Sequence, residues 1–234
     1  TQGYSSAASD VYKRQPLIAR SFMVVKDLGR VPYRQAWELQ HRLVKELQDG
    51  HGQEQLLLVE HDPVFTLGFH GNAANMLLDE SALAAKGIEC IRIERGGDIT
   101  YHGPGQLVAY PILDLRAHNL GVKAYVHLLE ESVIRLLAEY VIRAARDSSA
   151  PGVWIDVATL RQRKICALGV KVSHAVTMHG LALNVNTDLT PFSYINPCGF
   201  VDRGVTTMAL ELGHTLDFAE VKDRFAAIFL SLLK

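Results

Sequence analysis

Cysteine is scarce in this chain. There are three in 234 residues, Cys90, Cys166 and Cys198, and no two are close together. An odd, sparse count excludes a disulfide framework and lacks the spacing of a zinc ribbon. It fits a reducing compartment, so a cytoplasmic location is expected. Surplus charge is also missing. Twenty-four Lys and Arg face 25 Asp and Glu, a formal net charge of -1. Such a balance gives no bulk field to hold nucleic acid, and no nucleic-acid partner is expected. No apolar run approaches a membrane span, so no membrane role is expected either. Internal repeats and low-complexity segments are absent. What remains is a chain with 48% hydrophobic residues, enough for a real core.

The stretch Ser5-Ser6-Ala7-Ala8-Ser9-Asp10-Val11-Tyr12-Lys13-Arg14-Gln15 resembles a translated sequencing adaptor, and the chain has no initiator methionine. Residues 1–15 are therefore set aside from the fold and expected to be disordered. Residues 16–234 are read as a single domain. Hydrophobic periodicity predicts a strand over 21–26 and a helix over 32–48, where Ala36, Leu39, Leu43 and Leu47 share a face. Strands are expected at 56–60 and 64–67, with a loop over 68–75. A short helix follows over 80–86, closed by Gly87. The next strands are 88–93 and 107–113, where Pro111 marks an edge or a bulge. A long helix is expected over 122–146, its stripe of Tyr125, Leu128, Leu129, Leu136, Leu137 and Tyr140 facing the core. A linker over 147–152 leads to strands at 153–157, 164–173 and 175–184. Asp217, with Glu220 three residues on, signals the start of a last helix reaching about Leu233. The fold class is α+β, a mixed β-sheet with packed helices.

The segment Arg95-Gly96-Gly97-Asp98-Ile99-Thr100-Tyr101-His102-Gly103-Pro104-Gly105-Gln106 reads as a loop between two strands. It gathers backbone N–H groups, an arginine, an imidazole and a phenol, and loops of this kind on a rigid scaffold bind ligands. No Gly-Lys-Ser/Thr closes it, so it is not a phosphate-cradling P-loop, and its glycines lack dinucleotide-fingerprint spacing. Cys198 lies in Asn196-Pro197-Cys198-Gly199, where proline and glycine can set a thiol in a fixed direction. These residues alone leave open whether Cys198 is a nucleophile or an inert turn residue. Cys90 and Cys166 fall inside strand patterns and read as buried thiols. A nucleophilic thiol needs activation, and His102, His179, Lys164 and Lys171 are the candidate activators. One ammonium about 4 Å from a thiolate contributes roughly 4 kcal/mol at an effective dielectric near 20, so a lysine suffices without a histidine. His61, His70, His102 and His179 are scattered without metal-ligand spacing, and no metal is expected.

The same stretch, continued by Leu107-Val108-Ala109-Tyr110-Pro111, resembles the signature of the lipoyl(octanoyl) transferases. So do Gly152-Val153-Trp154, Arg163-Lys164-Ile165-Cys166-Ala167-Leu168-Gly169, His179-Gly180-Leu181-Ala182-Leu183-Asn184-Val185-Asn186 and Asn196-Pro197-Cys198-Gly199. The likeness runs from about Asp27 to Arg224. It implies a fold similar to the biotin and lipoate protein ligase catalytic domain, so that 16–234 forms one octanoyltransferase domain. The implied activity is transfer of an octanoyl group from octanoyl-acyl carrier protein to a lysine of a lipoyl domain. The implied acceptors are 2-oxoacid dehydrogenase complexes and the glycine-cleavage H protein, and no cofactor is implied. On the matching motifs Cys198 is the thioester nucleophile and Lys164 the lysine that activates it and moves protons. Arg95, Gly96, Gly97, Asp98, Ile99, Thr100, Tyr101 and His102 match acyl-site segments, as do Ala167, Leu168 and Gly169, and Gly180, Leu181 and Ala182. Backbone N–H groups of the Gly-rich loop and His102 are the expected oxyanion donors. Phe69, where family members usually carry arginine, and Phe200 depart from the pattern. An ATP-dependent ligase of the same fold and a non-catalytic lipoyl-domain binder are the alternatives; Lys164 and Cys198 together weigh against both.

Overall fold

The computed structural model describes residues 23–196 and 204–233. The expectation for residues 1–15, and Cys198 and Phe200, lie outside the described residues. The described residues begin with β1 (Val24–Val31), which overlaps the strand expected over 21–26, then α1 (Tyr33–Gln48), β2 (Gln55–His61) and β3 (Val64–Leu67). A tight turn at Ala73–Asn75 leads to α2 (Glu80–Ala85), β4 (Glu89–Arg92), β5 (Ile99–His102) and β6 (Gln106–Ile112). After α3 (Val122–Glu139) come β7 (Ala145–Asp147), β8 (Ala150–Ile155), β9 (Arg163–Ser173) and β10 (Val176–Asn184). A second tight turn, Thr190–Tyr194, precedes the undescribed stretch; β11 (Gly204–Val205), α4 (Met208–Leu212) and α5 (Phe218–Leu232) complete the order.

The main sheet runs β1-β2-β6-β10-β9-β8-β7, with β11 added to β9, and a small sheet runs β4-β3-β5. The β1–β2 and β9–β11 pairs are parallel, the rest of the main sheet antiparallel, giving the expected mixed sheet. Side chains alternate across a strand, and the burial follows that rule. Leu56, Leu58, Leu107 and Ala109 face α3 and α5, packing with Leu129, Val133, Phe225 and Phe229. Leu57, Val59, Val108 and Tyr110 face the other way, toward Ala36 and Leu43 of α1. Burying each of these large side chains stabilises the fold by roughly 1.5–3 kcal/mol. Asp217 caps α5, its carboxylate accepting from the Ala219 and Glu220 amides.

Several expectations need correction. Residues 95–106 are not all loop: Ile99–His102 form β5, antiparallel to β3, because Ile99 and Tyr101 find a small-sheet core with Phe65, Leu67 and Ile195. Pro111 lies in a central strand, not at an edge. Its missing N–H is tolerated because the β6–β10 pairing ends at Leu181↔Ala109, beside His179, whose φ is 61°. The helix expected to reach residue 146 stops at Glu139, since Val141 turns left-handed at φ 61°. The expected linker 147–152 is a hairpin instead, with Asp147 paired to Ala150. Cys90 is exposed, because β4 is an edge strand with only Ile91 turned inward; Cys166 is fully buried.

Candidate active site

A cavity of about 290 Å³ opens between the cavity-facing strands of the main sheet and residues 95–100. Arg95, Gly96, Gly97, Asp98, Ile99, Thr100 and His102 border it, with Ala167, Leu168, Gly169, Gly180, Leu181, Ala182 and Lys164. These residues come from segments spread along the chain from Arg95 to Ala182, and the antiparallel β9–β10 pair, with Gly180↔Gly169 and Ala182↔Ala167 in register, brings the last two segments together. Tyr101 is the exception among the expected residues. It points into the small-sheet core, packed against Phe65 at 5.4 Å and Phe192 at 5.6 Å between ring centroids.

Lys164 sits near the start of β9. Its ammonium lies 4.5 Å from the centre of the Trp154 ring, a cation–π contact. Gly152 makes room for the stem. Its φ is 136°, and a Cβ there would meet the Cys166 carbonyl at 2.8 Å and Lys164 Cε at 3.3 Å. The Gly152 amide is fixed by buried Glu130, which accepts from it at 3.1 Å and from Arg146 Nε at 3.1 Å.

Arg95 has a structural task. Its guanidinium donates to the Thr66 carbonyl at 2.7 Å, to Thr66 Oγ1 at 2.9 Å and to the Gly96 carbonyl at 3.0 Å. This pulls the 95–97 backbone onto β3. Gly169 lets the two chains meet: a Cβ there would lie 2.8 Å from Arg95 Cδ and 2.9 Å from the Gly96 carbonyl. The Phe69 amide donates to the Arg95 carbonyl at 2.9 Å while its ring is 70% exposed. That departure from the family pattern therefore lies at the surface beside the site.

His102 cannot supply the expected oxyanion contact. Gln106 donates both amide hydrogens, to the Tyr101 carbonyl at 3.1 Å and Asn184 Oδ1 at 2.9 Å. Its Oε1 therefore accepts from His102 Nδ1 at 2.8 Å. Burial first of all, with smaller contributions from nearby His61 and Arg95, holds the ring well below the ordinary histidine pKa, so it is neutral with one proton. That proton is committed to Gln106, and Nε2 faces Thr66 Oγ1 at 3.4 Å. His61 behaves similarly: Val31 accepts from Nδ1 at 2.9 Å, Tyr110 O–H donates to Nε2 at 2.8 Å, and burial lowers the pKa to about 4. Of the loop amides, Gly96 N–H is committed to the Val170 carbonyl at 3.0 Å and Gly105 N–H to Glu60 at 2.8 Å. Among the other candidate activators, Lys171 lies 3.7 Å from Glu94 and does not border the cavity; His179 borders it beyond Gly180, away from Lys164.

Sequence reasoning missed the polar residues that bind the site together. Asn184 Nδ2 donates to the Thr206 carbonyl at 3.1 Å, and the Thr206 amide donates to the Lys164 carbonyl at 2.9 Å. Gln106, Asn184 and Thr206 thus connect the Gly-rich segment to the lysine strand. On the other flank, Asp98 accepts from Asn75 Nδ2, and the Asn75 carbonyl accepts from the Asn196 amide at 2.8 Å. Gln106, Asn184 and Asn196 fall within the motifs, which was the available signal; Asn75 and Thr206 carried none.

Comparison with known proteins agrees with this geometry. The lipoyl protein ligase A/B catalytic domain model matches residues 32–230. An octanoyltransferase of Bacteroides fragilis is 54% identical over 215 residues, covering 90% of this chain and 97% of that protein. Among solved structures, the chain resembles a bi-partite lipoate protein ligase of Thermoplasma acidophilum, with TM-score 0.69 at 18% identity, covering 90% of this chain and 83% of that one. It also resembles the biotin protein ligase of Aquifex aeolicus, with TM-score 0.54 at 16% identity, covering 91% and 71%. These two show the fold that the sequence motifs implied.

Proposed function

The chain belongs to the lipoyl protein ligase A/B catalytic domain family, among its octanoyltransferases, and on that premise we propose how its residues carry the transfer. It is an acyltransferase that takes an acyl donor and a lipoyl-domain acceptor. The specific donor is octanoyl-acyl carrier protein, and the acceptors are lipoyl domains of 2-oxoacid dehydrogenase complexes and the glycine-cleavage H protein. Both reactions belong in the cytoplasm, and no helix among the described residues is long and apolar enough to cross a membrane.

Cys198 is the nucleophile. Lys164 takes the Cys198 proton, and the resulting thiolate attacks the carbonyl of the carrier thioester; the new C–S bond forms, the carrier C–S bond breaks, and the Lys164 ammonium returns the proton to the departing carrier thiolate, which leaves Lys164 neutral. A neutral acceptor lysine then attacks the enzyme thioester, forming the amide and returning the Cys198 thiolate. The amine has an ordinary pKa near 10.4, so a base must take its proton; a neutral Lys164 accepts it. Residues 95–100, Ala167–Gly169 and Gly180–Ala182 wall the acyl chain. Exchange of one thioester for another needs no ATP.

The observation that supports this reading most is the shared anchorage. Lys164 borders the cavity, the Thr206 amide donates to the Lys164 carbonyl, and Asn196 is tied through Asn75 to Asp98, which also borders it. The test is transfer from octanoyl-carrier to a lipoyl domain with and without ATP, for the wild type and Lys164→Ala. ATP-independent transfer, lost at least about a hundredfold on removal of the general base while the circular dichroism spectrum is unchanged, is expected. Strict ATP dependence, or near-normal turnover in the variant, would overturn it.

A further inference from the structure

We propose that His179 is the specificity-determining residue of the acyl cavity: it forms the distal end wall and limits the length of the chain that is transferred. The inference rests on reading the cavity as the acyl site. Lys164 and Val170 both border the cavity, and Val170 pairs with His179. Six strand residues at about 3.3 Å each separate the two ends by about 20 Å. That gives room, in a row, for the lysine side chain, a thioester and a medium-length alkyl chain.

His179 stands out chemically in this wall. Its side chain is 2% exposed, and neither ring nitrogen has a hydrogen-bond partner among the described residues; neither does Nε2 of its neighbour Gln40. Unpaired buried polar atoms are costly and call for an explanation. The backbone is strained at the same residue, with φ 61° for a non-glycine. Strand alternation would send His179 to the α3–α5 face with Leu181 and Leu183. The left-handed turn sends its ring instead against Tyr110, at 6.4 Å between centroids, on the cavity side. The turn is held by Gln40, whose Oε1 accepts from the His179 amide at 2.9 Å. Behind the ring, Glu94 Oε1 lies 3.8 Å from Nε2, a long ion-pair contact and the polar neighbour of the ring, and is itself fixed by Trp37 at 3.3 Å and His41 at 3.0 Å.

A chain that ends before the ring can lie along the apolar lining that Val108, Leu168, Val170, Leu181 and Ala182 provide. A longer one must lay methylenes on the bare ring nitrogens, or drive the ring back onto Gln40 and Glu94. Glu94 is outside the cavity and acts as a positioning residue for the ring.

The experiment compares kcat/KM for octanoyl- and dodecanoyl-carrier in the wild type, in His179→Asn, and in Glu94→Ala. Asparagine is shorter and tolerates positive φ. The dodecanoyl-to-octanoyl ratio should rise about tenfold or more in His179→Asn, the discrimination that one or two methylenes give in an apolar pocket. It should rise by less in Glu94→Ala, which carries the test if the first variant does not fold. An unchanged ratio in the folded variants overturns the proposal while leaving the transfer reaction standing. A wild type that transfers neither acyl group defeats the reading of the cavity itself, and this inference with it.

Discussion

Lys164 is useful only because the residues around it hold its ammonium at one place. The Trp154 face takes the charge from one side, and bare Gly152 leaves the space its stem occupies. Gly152→Ala adds a methyl that must displace either the Cys166 carbonyl or the lysine stem, at a φ of 136° that alanine resists. Turnover in octanoyl transfer is expected to fall at least about tenfold, the loss that small misplacements of catalytic groups readily cause. Steady-state rates of the folded variant check this, and a wild-type rate would show that the stem has other room. Arg95 illustrates the opposite case. It reads in the sequence as a ligand-site cation and does border the cavity, and its guanidinium also donates to Thr66 and Gly96, which ties the segment to β3. Spacing shows that an arginine is near a site; it does not show which way the fork points.

At the scale of elements, legibility followed the strength of local pattern. The strands β9 and β10, the amphipathic face of α1 and the Asp217 cap of α5 all lay where periodicity and capping chemistry put them. The misses have one physical cause: tertiary contacts overrode local signals. Ile99–His102 is flanked by glycines, so its strand character is visible only with the β3 partner present. Pro111 reads as an edge or bulge residue, and only the interrupted β10 ladder beside it shows that the edge reading fails. Glu130 interrupts the apolar stripe of α3 as a solvated residue would, but it is buried and holds Gly152 and Arg146. The end of α3 was hidden most completely, because Val141 takes φ 61° without being glycine, asparagine or aspartate. Val141 is 88% exposed, so little packing opposes its replacement. Val141→Gly should therefore stabilise the protein by about 1 kcal/mol, the usual cost of a left-handed β-carbon. Urea denaturation measures it, and a destabilised variant would mean that the valine side chain earns its place by contacts.

The whole molecule is needed to turn a glycine-rich segment into a site. Residues 95–106 connect by two routes to Asn196 and Thr206, described residues that precede and follow Cys198 in the chain. Asp98 acts through Asn75 on Asn196, and Gln106 acts through Asn184 on Thr206. Those partners lie about a hundred residues further along the chain, so no window of sequence could display the arrangement; only the ordered set of motifs hinted at it. The near-zero net charge is consistent with a partner recognised locally rather than by a global field. The central claim is that the acyl group rests covalently on Cys198. Intact-protein mass spectrometry after mixing with octanoyl-carrier, without an acceptor, tests it most directly. One octanoyl adduct is expected on the wild type and on Cys166→Ser, whose native thiol is fully buried and pushed far up in pKa by that burial, and none on Cys198→Ser. An adduct that survives Cys198→Ser, or that maps to Cys166, would contradict the account.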